Sequence, residues 1–282
     1  MKRLLVPLFG DKRDDIALDA AIKLAHGGGV HIDVRLFMRD PLNTIPYVGE
    51  GMSAASVQQF IEAAQDNVRQ CKQRARTTFD NWCELEKINI GDKIENGHTS
   101  ANFEVVTGQF PNAIGPYARI ADISVFARAN DTDDNDWGPL IQTALFESGH
   151  PTLLVPPVVP ATIANRIVIA WNGSTEAARA VAMTMPLLQQ AEAVFIVTVN
   201  EDGYDPSELA ATLGMNGITA TPVSTNADEK SVSEELISKA QKVHADMIII
   251  GAYSHNRLSE MVFGGVTRDL KDGSDIPILM IH

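Results

Sequence analysis

Hydrophobic positions along this chain follow two periods that alternate. Short apolar runs rich in Val, Ile and Leu lie near 3–8, 30–37, 103–107, 123–127 and 152–155, and again near 166–171, 193–199, 218–223, 246–250 and 277–281. Runs of this length and composition read as buried strands. Between them, apolar residues recur at helical spacing near 14–26, 54–86, 110–119 and 138–148, then near 175–190, 206–214, 231–244 and 265–273. Strands that alternate with helices predict α/β architecture with parallel sheets, and right-handed crossovers make those sheets open and doubly wound. The stretch 54–86 places Val57, Phe60, Ile61, Ala64, Val68, Cys71, Ala75, Phe79 and Trp82 at steps of three and four. That stripe, about 50 Å long if unbroken, predicts a helix lying over the sheet.

The two halves repeat one plan. Arg3-Leu-Leu-Val-Pro-Leu-Phe-Gly10 matches Arg166-Ile-Val-Ile-Ala-Trp-Asn-Gly173, Ala121-Asp122-Ile-Ser-Val-Phe-Ala127 matches Ala245-Asp246-Met-Ile-Ile-Ile-Gly251, and His150-Pro151-Thr-Leu-Leu-Val155 matches Ile276-Pro277-Ile-Leu-Met-Ile281. Three matches in one order argue for an internal duplication whose period is domain-sized. The expectation is two tandem domains, 1–157 and 166–282, with the Pro-rich stretch at 156–165 between them. The halves are not equivalent: the long second helix of the first is replaced in the second by a loop at Asn200–Pro206 and about two helical turns.

Composition narrows the class. A hydrophobic fraction of 45% with 21% charged residues is ordinary for soluble globular protein, and no apolar run approaches the ~20 residues that cross a bilayer. The sequence opens on a strand rather than an apolar leader, so the expected location is the cytoplasm and no membrane is engaged. A net charge of −13 argues against nucleic acid as a partner, although a mononucleotide could still be held locally by backbone amides and a few cations. Cys71 and Cys83 lie on one predicted helix, roughly 18 Å apart, too far to bridge.

In such sheets ligands bind outside the carboxyl ends of the strands, so a site is expected at the loops after the first and fourth strands of a half. After the first strand of the second half comes Trp171-Asn172-Gly173-Ser174. Gly173 permits a tight turn and Ser174 is placed to cap the next helix. Asn172 has two readings, a hydrogen bond to a ribose or base, or turn chemistry alone. After the fourth strand, Ile248-Ile-Ile-Gly251 leads through Ser254 and Phe263-Gly264-Gly265-Val-Thr267 into a predicted helix, where free backbone N–H groups can hold an anion.

The spacing Gly251-x2-Ser254-x9-Gly264-Gly265 resembles the phosphate loop, G-x2-G-x9-G-[S/T], of the universal stress protein family. The likeness extends over the second half, and the first half resembles that family more weakly, so the chain looks like a tandem universal stress protein with an adenine nucleotide alpha-hydrolase-like fold. The resemblance implies ATP with Mg²⁺ in the second domain, its phosphates on the amides around Gly251, Ser254, Gly264 and Gly265, and its base and ribose near Asn172 and Val199. Thr267 stands two residues after the place of the family's Ser/Thr hydroxyl, and Arg257 is a cation within reach of a phosphate. The pattern departs from the family at Ser254, which replaces a glycine, at Gly265, which replaces a Ser/Thr, and at Asn172, which replaces an aspartate.

The first half carries Phe9 in place of Asn172, and Asp131, Asp133, Asp134 and Asp136 where phosphate would sit, with Pro139 removing a donor. Carboxylates repel an anion, so this half is expected to bind no nucleotide. No metal-ligand spacing among the seven histidines, no Walker loop and no nucleophile elbow occurs. The expected protein is a non-catalytic stress-response protein that pairs its two domains internally, forms a homodimer and holds nucleotide in the second half. The alternative is an interaction module that works without nucleotide.

Overall fold

The computed structural model describes residues 1–25, 29–39, 54–94, 97–108, 111–128, 138–200, 204–228, 230–252 and 274–282. The first half runs β1 (Arg3–Leu8), α1 (Arg13–Leu24), β2 (His31–Arg39), α2 (Ala54–Glu86), β3 (Asn89–Ile90), β4 (Ser100–Gly108), a 3₁₀ turn (Asn112–Ile114) continuing into α3 (Gly115–Ala118), β5 (Ile123–Ala127), α4 (Gly138–Glu147) and β6 (Thr152–Val155). The second runs β7 (Arg166–Ala170), α5 (Thr175–Leu188), β8 (Ala193–Val199), α6 (Pro206–Met215), β9 (Ala220–Thr225), α7 (Val232–Lys242), β10 (Met247–Gly251) and β11 (Ile278–Ile281). The predicted strands are all present, and the two-residue β3 joins them at one edge. Of the helix expected over 110–119, four residues in α3 are α-helical and three more form the 3₁₀ turn, with Pro111 before the turn and Pro116 in the first turn of α3, where proline is tolerated. The helix expected over 265–273 lies outside the described residues.

Both halves share one sheet of eleven strands in the order β3-β4-β2-β1-β5-β6-β11-β10-β7-β8-β9. Pairing is parallel throughout except at the junction, where β6 meets β11 antiparallel. Leu153 pairs with Leu279, its counterpart in the repeat, and Leu154 and Thr152 pair with Ile278 and Met280. A residue that meets its own equivalent marks a twofold relation between the halves, as in an isologous contact between subunits. Arg128 also donates through its guanidinium to Ser274 O, and the Phe146 and His282 rings meet edge-on at 4.8 Å.

A repeated clamp supports the duplication. Asp122 accepts the backbone N–H of Arg3 at 2.9 Å, and Asp246 accepts that of Arg166 at 2.8 Å. The backbone returns the bond in both halves, Asp122 N to Arg3 O and Asp246 N to Arg166 O. Each aspartate ties the start of a first strand to the strand that neighbours it.

One face of the sheet is covered by α1, α2, α5 and α6 over a continuous core that includes Leu18, Phe79, Ile167 and Leu213. The other face is covered by α3 and α4 around Phe37 and Phe126, and by α7 around Leu236 and Ile248, with Leu145 of α4 joining the second cluster. The stripe on α2 meets the sheet only over its carboxyl-terminal part, where Ala75, Phe79, Trp82 and Cys83 are buried, whereas Phe60 is 55% exposed. Both cysteines are free thiols.

Candidate functional site

Because the junction is antiparallel, the carboxyl ends of the first-half strands face one edge of the sheet and those of the second half face the opposite edge. The two equivalent turns, after β1 and after β7, therefore open in opposite directions.

At the second-half edge, Gly251 ends β10, Val199 ends β8, and Asn172 comes just after β7, which lies between them. The structure thus brings together three of the residues expected at the site. Gly251 is buried, and a Cβ there would fall against Ala177 N and 2.5 Å from Glu176 C. Backbone cannot yield as a flexible side chain does, so a glycine is needed where β10 passes the first turn of α5. Val199 is half-buried and packs against the core under α7. Beside it, the buried Thr198 hydroxyl has no hydrogen-bond partner among the described residues.

Asn172 makes the turn. Its Oδ1 accepts from Ser174 N at 3.1 Å and Ser174 Oγ at 2.7 Å, while Ser174 Oγ accepts from Ala177 N at 3.2 Å and caps α5. Gly173 adopts φ +67°, and the ring of Tyr204 occupies the place where a Cβ would stand. Tyr204 is not among the residues expected at the site, because nothing in the sequence before α6 shows that its ring folds back over the turn. Ser254, Arg257, Gly264, Gly265 and Thr267 lie outside the described residues, as does the acidic loop at 129–137 of the first half.

The first-half turn is closed by a residue that its sequence does not single out. Asp14, 1% exposed, accepts from Phe9 N at 2.8 Å and Gly10 N at 2.9 Å. A carboxylate of the chain thus holds amides that could otherwise face an anion. Burial pushes its pKa up to about 7, aided by the negative charges of Asp11 and Asp15, and the two amides offset this only in part. The one sequence signal for it is an aspartate four residues after Gly10, at the start of α1. Gly10 adopts φ +75° and sits under α2: Cys71 Sγ donates to Phe9 O at 3.2 Å, and Arg74 Nε donates to Gly10 O at 2.8 Å. Burial raises the Cys71 pKa, so this residue is a packed thiol rather than a reactive thiolate. Phe9 is buried in the cluster that includes Leu140 and Ala144 of α4.

Among the described residues, no group of three His, Cys, Asp or Glu side chains is placed to hold a metal ion. No helix among them is long and apolar enough to cross a membrane.

Comparison with known proteins agrees with this architecture. Residues 215–282 match the universal stress protein family (Usp). The stress response protein NhaX of Bacillus subtilis (strain 168) is 40% identical over 53 residues, 19% of this chain, and the chain spans only 32% of that relative's length. A universal stress protein from Archaeoglobus fulgidus DSM 4304 superposes with a TM-score of 0.62 at 15% identity, covering 99% of this chain and 97% of the other. A protein from Pseudomonas aeruginosa UCBPP-PA14 described as belonging to the same family gives a TM-score of 0.51 at 14% identity, covering 100% and 93%. At those identities the likeness is one of fold, and it runs the length of the chain. The carboxyl-terminal part of the chain, residues 215–282, thus matches the universal stress protein family, and the fold of the whole chain is similar to that of universal stress proteins of known structure.

Proposed function

We propose that this is a non-catalytic stress-response protein of the cytoplasm, built of units 1–157 and 166–282, which holds one adenine nucleotide in its second half and none in its first. The observation that carries the reading is the convergence of Asn172, Val199 and Gly251 at the carboxyl ends of the adjacent strands β7, β8 and β10. Val199 offers an apolar wall suited to a base, and Asn172 a polar group suited to a ribose. The unsatisfied hydroxyl of Thr198 supports a polar neighbour completing this edge. ATP with Mg²⁺ is the nucleotide proposed, its phosphates held by the segment carrying Ser254, Arg257, Gly264, Gly265 and Thr267. The closed turn at Asp14 supports the empty role of the first half. The internal junction of β6 and β11 supports pairing of the two units, and a homodimer of the chain is part of the proposal.

One observation favours the alternative, an interaction module that works without nucleotide. The carboxamide oxygen of Asn172 is already engaged by Ser174, and Tyr204 lies over Gly173, so this turn is satisfied within the protein.

Calorimetric titration of nucleotide-stripped protein with Mg-ATP separates the two. One site per chain, abolished by Gly264→Asp without loss of folding, is the expected result. Two sites would overturn the assignment of the first half, and no heat with an unchanged Tm would establish the module reading.

A further inference from the structure

The turn after β1 borders a cavity of about 500 Å³ that the second-half site does not use. Its size falls within the range of roughly 300–1,000 Å³ common for small-molecule sites. It lies between the start of α1 and the middle of α2, on the helical face that these two share. It is therefore separate from the crevice between β1 and β5, where the strand order reverses, and its edge of the sheet is the one opposite Asn172 and Gly251.

Helical periodicity makes the lining polar. Gln70, Gln73, Arg74 and Thr77 stand at i, i+3, i+4 and i+7 on α2 and form one stripe beside the apolar one. The side chains of Gln70, Gln73 and Thr77 make no hydrogen bond among the described residues. Arg74 is tethered through Nε to Gly10 O at 2.8 Å, which orients its guanidinium and leaves the two terminal nitrogens for a ligand. Lys12 and Asp15 border the cavity from the α1 side. Asp11 is neutralised by Arg13. The Phe9 and Gly10 amides belong to Asp14, so an anion entering here would be gripped chiefly by side chains.

We propose that this cavity is a binding site for a small phosphorylated polyol. The phosphate sits on the Arg74 terminal nitrogens with Lys12 alongside, and the hydroxyls bond to Gln70, Gln73, Thr77 and the Asp15 carboxylate. A guanidinium fixed at one nitrogen presents a planar pair of donors, which suits a phosphate. Neutral amides and hydroxyls, each both donor and acceptor or paired as such, suit hydroxyl groups.

The test is titration of the ¹⁵N-labelled full-length chain with glycerol 3-phosphate, with inorganic phosphate and glycerol as separate probes. Glycerol 3-phosphate is expected to shift the amide signals of Gly10–Asp15 and the Arg74 Nε–H saturably and to bind more tightly than inorganic phosphate, while glycerol alone does nothing. Arg74→Gln should weaken it about tenfold or more, the loss of one charge-assisted contact, and leave the heat of Mg-ATP binding unchanged. Gln73→Leu and Thr77→Val, which leave the Arg74–Gly10 bond intact, should each weaken it by a smaller factor and decide the matter if Arg74→Gln lowers the Tm. Absence of shifts, equal affinity for inorganic phosphate, or unaltered binding in the Gln73 and Thr77 variants would overturn the proposal.

Discussion

The turns after β1 and β7 hold equivalent places in the two halves and are built on opposite principles. Each has a glycine with positive φ, Gly10 and Gly173, and each glycine is covered by a residue from beyond the second strand of its half: Cys71 on α2 in one, Tyr204 ahead of α6 in the other. In the first half a buried carboxyl group, Asp14, closes the turn from inside and takes the Phe9 and Gly10 amides that could otherwise face an anion. In the second, Asn172 and Ser174 share their polar atoms with one another and cap α5, a neutral arrangement at the positive end of a helix. A duplicated fold can thus keep its backbone and reverse the charge chemistry of one loop with a single side chain.

The same contrast runs across the sheet. In the first half the face under α3 carries Asp33, fully buried, between Arg3 at 2.5 Å and Arg35 at 2.9 Å, and Arg35 reaches Glu104 and stacks on Tyr117 with its Cζ 3.9 Å from the ring centre. In the second half the matching stretch of β8 presents Phe195 and Val197 to α7. A four-residue α3 supplies too little apolar cover, and the aromatic ring and paired charges fill the place that α7 fills with Leu236.

These differences can be broken one at a time. The largest effect is expected at Gly251, whose counterpart in the first half is Ala127: Gly251→Val drives a side chain into the backbone of α5 and should cost about 3 kcal/mol or more, seen as a lowered midpoint of unfolding in denaturant. Ala127→Gly should cost less than about 1 kcal/mol. Next, Asp33→Ala removes the buried carboxylate between Arg3 and Arg35, leaving Arg35 with the exposed Glu104 alone, and should cost about 3 kcal/mol, while the β8 counterpart Phe195→Leu, which carries no charge, should cost less in the same assay.

The Asp14 carboxyl sharpens the comparison through pH. Its pKa is raised from 3.8 to about 7 in the folded chain, so folding favours its protonated form. The stability it contributes is full below the unfolded value and is lost as pH rises to and through about 7, by about 1.4 kcal/mol per unit inside that window. Asp14→Asn should flatten that slope in chemical denaturation measured at a series of pH values, and a slope of the opposite sign in the native chain would refute the assignment. The smallest effect is expected at the caps: Ser174→Ala should cost about 1 kcal/mol, and Ser231→Ala, which breaks the capping box of α7, a similar amount by thermal denaturation.

Much of this is legible along the chain. Continuous apolar runs locate the strands, because a strand buried on both faces has nothing else to be made of, and the repeated Ala-Asp before β5 and β10 marks a shared clamp whose bonds the structure supplies. Gly173 and Ser174 are legible as turn and cap because their chemistry is local. Asp14 and Tyr204 are not, since their roles depend on atoms brought from another element. The long stripe of α2 predicts cover for the sheet along its whole length, yet only the part from Ala75 onward is buried on it, because periodicity reports which residues share a face and not how far the sheet beneath extends.

The sequence by itself determined the alternation of the main strands and helices and the repeated pattern of the two halves, which arise from local periodicity and backbone preference. Only the tertiary structure decided that the two halves join in one sheet through the antiparallel pair β6 and β11, and that their equivalent turns therefore face opposite ends of the strands. The reason is physical: the direction in which an edge strand pairs depends on the edge it meets, and that partner lies more than a hundred residues away along the chain.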